Sequence, residues 1–315
     1  MIAMGPVLIV LGIGVFIVGT VVGSFLNVCI YRIPWEKSVI WPGSRCPKCS
    51  NPIAVRDNVP VLGWLALRGE CRNCGAPISM RYPLVELLVG LLFLAAYYVD
   101  VVLGPRGRFG FEIGWPLATL CYHAILVALL VAATFIDYDL FIIPDAITVT
   151  GMLAGIVLGT VFPHVRPEPS LASTPVGGFG VGLLGLAVGA GLTQFVRVAG
   201  SAALRREAMG FGDVTLMGMI GAFLGWQMAV LAFFAGAFFG LAHAFWKLAV
   251  YVKKWVRGQK LSTADRELPF GPYLSMGAVA LVLSWHWLWP AWAQNFFGTL
   301  RWLFWWGLGV NVGLN

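Results

Sequence analysis

Residues 126–139 read Leu-Val-Ala-Leu-Leu-Val-Ala-Ala-Thr-Phe-Ile-Asp-Tyr-Asp. An uncharged run goes straight into Asp137, and a second carboxylate, Asp139, follows two places on. The run closes a longer apolar stretch, 115–136. About 20 mostly apolar residues cross a bilayer, so the stretch reads as a membrane span with an acid at its end. Acidic groups at membrane depth are costly, and are functional candidates for that reason.

The same apolar pattern fills the chain. Of its 315 residues 59% are hydrophobic and only 11% charged, and the mean hydropathy is +0.83. Soluble domains carry roughly 25% charged residues, so a soluble globular class is excluded. Apolar runs at 7–31, 83–103, 115–136, 145–163, 176–197, 214–225, 227–250 and 269–290 predict an all-α polytopic membrane protein of about eight spans. The first run could be taken for a secretory signal, but no basic residue precedes Arg32, so it is read as a retained span. The division expected is 1–31 as first span, 32–82 as a polar loop, 83–290 as the membrane core and 291–315 as an aromatic tail. That tail is interrupted by Arg301 and suits the headgroup level, which Trp prefers. The linker 163–175, with Pro163, Pro167 and Pro169, is expected to be irregular, and no internal repeat stands out.

Basic residues set the orientation. The loop 32–82, the stretch 197–213 and the stretch 247–268 hold seventeen of the 21 Lys and Arg, and Arg106, Arg108, Arg166 and Arg301 lie in the alternate loops. The positive-inside rule places the seventeen in the cytoplasm and both termini outside. The net charge of +7 is therefore topological, with attraction to anionic lipid as a further use. It calls for no nucleic acid.

Six cysteines are present. Cys29 and Cys121 stand alone in apolar runs and are expected to be small buried hydrophobes. Cys46-Pro-Lys-Cys49 and Cys71-Arg-Asn-Cys74 are two C-x-x-C knuckles. Paired knuckles at this spacing suit a closed, structural four-thiolate zinc site. A redox dithiol or free thiols are the alternative readings. Cytoplasmic placement disfavours structural disulfides.

Four acids gather near one membrane face. Asp137, Asp139 and Asp145 lie between the third and fourth spans, and Asp213 closes Gly210-Phe-Gly-Asp213 ahead of the sixth. Asp145 is expected to cap the helix that follows it. Asp139 is either solvated or a supporting group. Gly210 and Gly212 allow a tight backbone that brings Asp213 close to another element. Two carboxylates at one site share a proton and hydrolyse an amide with no metal, one as base on water and the other as acid.

With these residues in hand, the chain resembles the type 4 prepilin peptidases, bifunctional prepilin leader peptidase/N-methyltransferases with a G-x-G-D signature. The resembling motifs are Gly23-Ser-Phe-Leu-Asn-Val-Cys-Ile-Tyr-Arg-Ile-Pro34, the two knuckles, Ile78-Ser-Met-Arg-Tyr-Pro-Leu-Val-Glu86, Ile136–Asp145, Gly210–Asp213 and Pro269-Phe-Gly-Pro272. The resemblance implies that Asp137 and Asp213 are the catalytic pair of an aspartic endopeptidase in the bacterial inner membrane. It implies cleavage of the leader of type IV prepilins or type II secretion pseudopilins on the cytoplasmic side. It also implies N-methylation of the new terminus with S-adenosylmethionine. Asn27, Arg81 and Glu86 flank the loop and either bind the cofactor or anchor the loop. A presenilin-type protease would share the G-x-G-D string without the knuckles. A zinc-stabilised transporter or scaffold would hold its charges at the midplane.

Overall fold

The computed structural model describes residues 4–104, 114–166, 174–257 and 269–307. It is helical, with no β-strand among these residues. The helices are α1 (Met4–Arg32), α2 (Leu62–Ala66), α3 (Arg81–Tyr97), α4 (Gly114–Leu140), α5 (Asp145–Val161), α6 (Pro175–Leu204), α7 (Phe211–Leu224), α8 (Trp226–Val256), α9 (Gly271–Leu288) and α10 (Gln294–Gly307). A π-turn, Tyr98–Val102, prolongs α3. Five helices are long and apolar enough to cross a membrane: Pro6–Trp35, Arg81–Val102, Trp115–Leu140, Pro175–Leu204 and Trp226–Lys254. The apolar α5 and α7 are shorter, at 17 and 14 residues.

Local chemistry ends the helices where the apolar runs break. Phe141 adopts a left-handed conformation and its amide bonds to the Asp137 carbonyl at 2.9 Å, which closes α4. Pro144 then redirects the chain into α5. The Thr174 hydroxyl accepts the Gly177 amide at the start of α6, with Pro175 in the first turn. Gly225, at φ 84°, separates α7 from α8.

α7 is the centre of the bundle. Every residue from Val214 to Leu224 except Thr215 is buried, and Leu216, Met217, Met219, Ile220 and Phe223 are fully so. A helix apolar on every side belongs inside a larger bundle. α5, α6, α8 and α9 all pack on it, and Tyr122 of α4 reaches its far end. The outer helices turn Ile9, Leu153, Phe195 and Phe238 outward, as a lipid-facing surface does. α1 lies on α3 through small residues: a Cβ on Gly23 would stand 2.7 Å from the Glu86 Cα. Such close backbone approach replaces the missing hydrophobic drive between helices in lipid. At one end of the bundle, the buried Asp100 of the π-turn bonds His123 of α4 at 2.8 Å. His286 of α9 lies 3.9 Å from the other carboxylate oxygen.

Three expectations change. Cys121 is exposed, whereas Cys29 is buried. Lipid is as apolar as a protein core, so a thiol in an apolar run can face either. Pro144 takes the cap position of α5 without a side-chain bond, and Asp145 opens the first turn instead. There its charge meets the positive end of the helix dipole. The aromatic tail begins as part of the bundle: Phe297 is buried against Trp226 and Trp289. Pro167, Pro169, Arg106, Arg108, Lys260, Arg266 and the two chain ends lie outside the described residues, and so do the expectations placed on them.

The α1–α3 contact yields a direct comparison. Gly23→Val should destabilise the protein by about 1–3 kcal/mol through overpacking. Gly14→Val, on the same helix with nothing within 4 Å of its Cβ position, should leave the melting temperature in detergent nearly unchanged. Equal shifts for the two variants would refute the packing.

Candidate active site

Asp213 is the third residue of α7, after Gly210 in the cap position. Its carboxylate takes a backbone hydrogen bond from Gly210. This is half of a capping box, in which the acid three places into a helix reaches back to the cap amide. The G-x-G-D string is thus a helix start. Gly212 meets the 141–144 turn, where an added Cβ would lie 2.9 Å from the Ile143 Cβ. Among the described residues nothing lies within 3.8 Å of a Cβ on Gly210, so only the second glycine is demanded by close approach.

Asp137 sits in the last turn of α4. Its Oδ2 accepts the Gly271 amide at 3.1 Å, at the first turn of α9. That amide is one of the orphan donors of a helix start. A Cβ on Gly271 would stand 2.7 Å from the same oxygen and 2.9 Å from the Ile143 Cδ1. Glycine therefore lets the carboxylate reach the backbone, which gives Pro269-Phe-Gly-Pro272 a physical role. Pro272 fits because first-turn amides have no intrahelical acceptor.

The two carboxylates share one neighbourhood. Asp137 and Asp213 are 6% and 7% exposed, and the charge of Asp137 acts on Asp213. Ile143 touches the glycine beside each. Two buried carboxylates in one neighbourhood, each at a helix start, are the groups that acid–base work on water requires. Asp139 lies just outside and pairs with Arg81, whose nitrogens approach its oxygens at 2.9 and 2.6 Å. Arg81 also lies over the Phe135 ring, 5.1 Å from its centroid.

The polar loop stands over this end of the bundle. All four cysteine sulfurs lie within 4.8 Å of one another. Cys46–Cys74 and Cys49–Cys71 are 3.8 and 4.0 Å apart. Disulfide sulfurs would be about 2.05 Å apart. A tetrahedron of 2.3 Å zinc–sulfur bonds has edges of about 3.8 Å, so the four thiols fit such an ion. The knuckles are the same turn twice. Ser50 and Gly75 bond back to Cys46 and Cys71, both are left-handed, and Pro52 and Pro77 close antiparallel bridges to Arg45 and Glu70. The sequence carries this as C-x-x-C-x-x-P, a repeat too short to stand out. Asp57 fastens the second knuckle through two bonds to Arg72, at 2.8 and 2.6 Å, and this partner holds its carboxyl below the usual range.

Asn27, Arg81 and Glu86 each make a polar contact where the loop meets the helices. Asn27 donates to the Tyr82 carbonyl at 3.1 Å, tying α1 to α3. The buried Glu86 accepts the Val61 amide at 2.7 Å. Val61, at φ 60° and ψ −53°, is the centre of a γ-turn closed by Leu62 N–H to Pro60 C=O. That conformation is strained for a β-branched residue. No sequence signal marks Val61.

A charge-assisted hydrogen bond is worth about 1.5–3 kcal/mol. Glu86→Ala should therefore speed trypsin cleavage of the 45–72 segment at least about ten-fold. Unchanged cleavage would show that Glu86 does not hold the loop.

The chain matches the family model of the bacterial peptidase A24 N-terminal domain over residues 17–99. It matches that of the type IV leader peptidase family over residues 124–245. A prepilin leader peptidase/N-methyltransferase of Myxococcus xanthus (strain DK1622) is 44% identical over 222 residues. The match covers 69% of this chain and 58% of that protein, so only part of the relative is represented. The Aeromonas hydrophila protein of the same name is 34% identical over 301 residues, 85% of this chain and 89% of its own. The type 4 prepilin-like proteins leader peptide-processing enzyme of Escherichia coli O78:H11 (strain H10407 / ETEC) is 34% identical over 286 residues, covering 84% and 90%. No solved structure matches. With both family models in chain order and relatives aligned over nearly their whole length, the chain belongs to the type IV leader peptidase family.

Proposed function

We propose that this protein cleaves the leader from type IV prepilins or pseudopilins with Asp137 and Asp213, and then methylates the new N-terminus. The observation that carries the proteolytic reading is the pairing of two buried carboxylates at two helix starts. The names of the relatives support prepilin processing and methylation. The substrate would enter from the end of the bundle that bears the loop. By the charge distribution that end is cytoplasmic, with about eight spans and both termini outward. The working division is 1–31, 32–82, 83–290 and 291–315.

In the proposed reaction one carboxylate is ionised and the other protonated. The first takes a proton from water, and the hydroxyl adds to the scissile carbonyl carbon. The second gives its proton to the carbonyl oxygen. The tetrahedral diol then collapses: its C–N bond breaks, the first carboxyl protonates the leaving amine, and a diol proton returns to the second. Gly271 and Gly210 hold the carboxylates in place with backbone amides. Ile143 and the surrounding apolar side chains exclude bulk water, which strengthens these interactions.

Cys46, Cys49, Cys71 and Cys74 would hold a structural zinc. Held there, it would staple the 46–74 segment of a loop of about 50 residues that lacks a large core of its own. S-adenosylmethionine, when bound, supplies the methyl group. Asn27, Arg81 and Glu86 are engaged with Tyr82, Asp139 and Val61. Their contribution is a fixed seat for the loop between α1, α3 and α4.

Asp137→Asn and Asp213→Asn should each lower kcat/KM for a purified prepilin by at least about 10³-fold, as loss of one member of a catalytic unit does. Normal leader removal by either would sink the assignment. Cys46→Ser combined with Cys71→Ser should bring bound zinc, measured by elemental analysis, from about one ion per chain to near zero. Unchanged zinc would rule out this site.

A further inference from the structure

Arg166 follows the short helical turn after α5 and is 4% exposed. Its guanidinium bonds backbone carbonyls of three helices and also faces the Tyr122 hydroxyl. Nη2 meets Gly155 and Ala222 at 2.9 Å each, and Nε meets Phe223 at 3.3 Å. Nη1 meets Gly159 at 3.4 Å and also Gly178. These carbonyls come from α5, α6 and α7. The Tyr122 hydroxyl of α4 reaches the Gly155 and Phe223 carbonyls at 3.0 and 2.8 Å. A Cβ on Gly159 or Gly182 would fall onto the guanidinium, so the backbone is shaped to admit it.

The reason lies in the length of α7. Fourteen residues rise about 21 Å, against about 30 Å of hydrocarbon. The helix therefore ends at membrane depth, and its last carbonyls have no water to bond. The Gly221 carbonyl is taken by the Gly225 amide. Those of Ala222 and Phe223 are taken by Arg166 and Tyr122. The cation also sits at the negative ends of α5 and α7, where the helix dipole favours it.

Phe223 lies about 15 Å along α7 from Asp213, and Tyr122 about 22 Å along α4 from Asp137. A helix is stiff, so axial slip at one end arrives at the other. We propose that Arg166 is a positioning residue for proteolysis: with Tyr122 it fixes the axial register of α7 against α4 and thereby aligns Asp213 with Asp137. This rests on the two-aspartate reading. A displacement of about 1 Å at reacting groups costs about 10²-fold in rate.

The test uses the full-length protein in detergent, a prepilin for cleavage, and a synthetic peptide with the mature N-terminus for methylation. Arg166→Gln and Gly182→Ala should lower cleavage kcat by about 10²-fold, with KM and methylation each within about two-fold. Arg166→Lys, which keeps the charge, should recover part of kcat. Tyr122→Phe deletes one hydroxyl, stays foldable, and should lower kcat about ten-fold. Wild-type kcat in Arg166→Gln or in Tyr122→Phe overturns the proposal. So does a parallel fall of cleavage and methylation, which marks a general loss of folding. Asp213→Asn in the same assay separates the two claims: if it is inactive while Arg166→Gln is normal, only the register role fails.

Discussion

The 3.1 Å bond from the Gly271 amide to Asp137 joins the end of α4 to the start of α9. Much of the site depends on it. An unsatisfied carboxylate at membrane depth would be driven out of its place or neutralised. The backbone amide gives it a fixed partner, and only a residue without a side chain lets the oxygen come so near. Ile143 fills the space beside that glycine and beside Gly212, so the start of α7 is drawn to the same point. Asp213 is then held by its own helix start. Three helix termini, from α4, α7 and α9, therefore meet around the two carboxylates.

The loop is fitted to that centre from outside. Its ends leave α1 and enter α3, which are packed backbone to backbone at Gly23. Asn27, Glu86 and Arg81 tie it to Tyr82, Val61 and Asp139 in turn. Asp139 is two residues from Asp137. The four-thiol cluster and the aspartate pair are thus mechanically linked through the Arg81–Asp139 pair.

The broad plan was readable in the sequence because apolar runs, charge-rich loops and C-x-x-C spacing each report a strong physical requirement. The helices follow the apolar runs, even the short 214–225 segment, although α6 and α8 continue seven and six residues past the ends of theirs. The knuckles converge as their spacing indicated, and the two aspartates share one neighbourhood. Other features were hidden for definite reasons. The Gly271–Asp137 contact spans 134 residues, and no local pattern encodes it. Arg166 looks like an ordinary loop cation, since its use depends on where α7 stops. Cys121 faces outward because hydropathy cannot separate a lipid-facing side from a core-facing one. Asn27, Arg81 and Glu86 were marked as polar groups at a membrane face, but only geometry reveals their partners.

In the proposed mechanism Asp137 and Asp213 act as one unit on one water. A double-mutant cycle on leader cleavage tests this most directly, with kcat/KM measured for Asp137→Asn, Asp213→Asn and the two combined. Members of a catalytic unit are grossly non-additive. A cooperating pair gives a double variant about as slow as the slower single one. A double variant slower by the product of the two single losses would contradict it, because the carboxylates would then act independently.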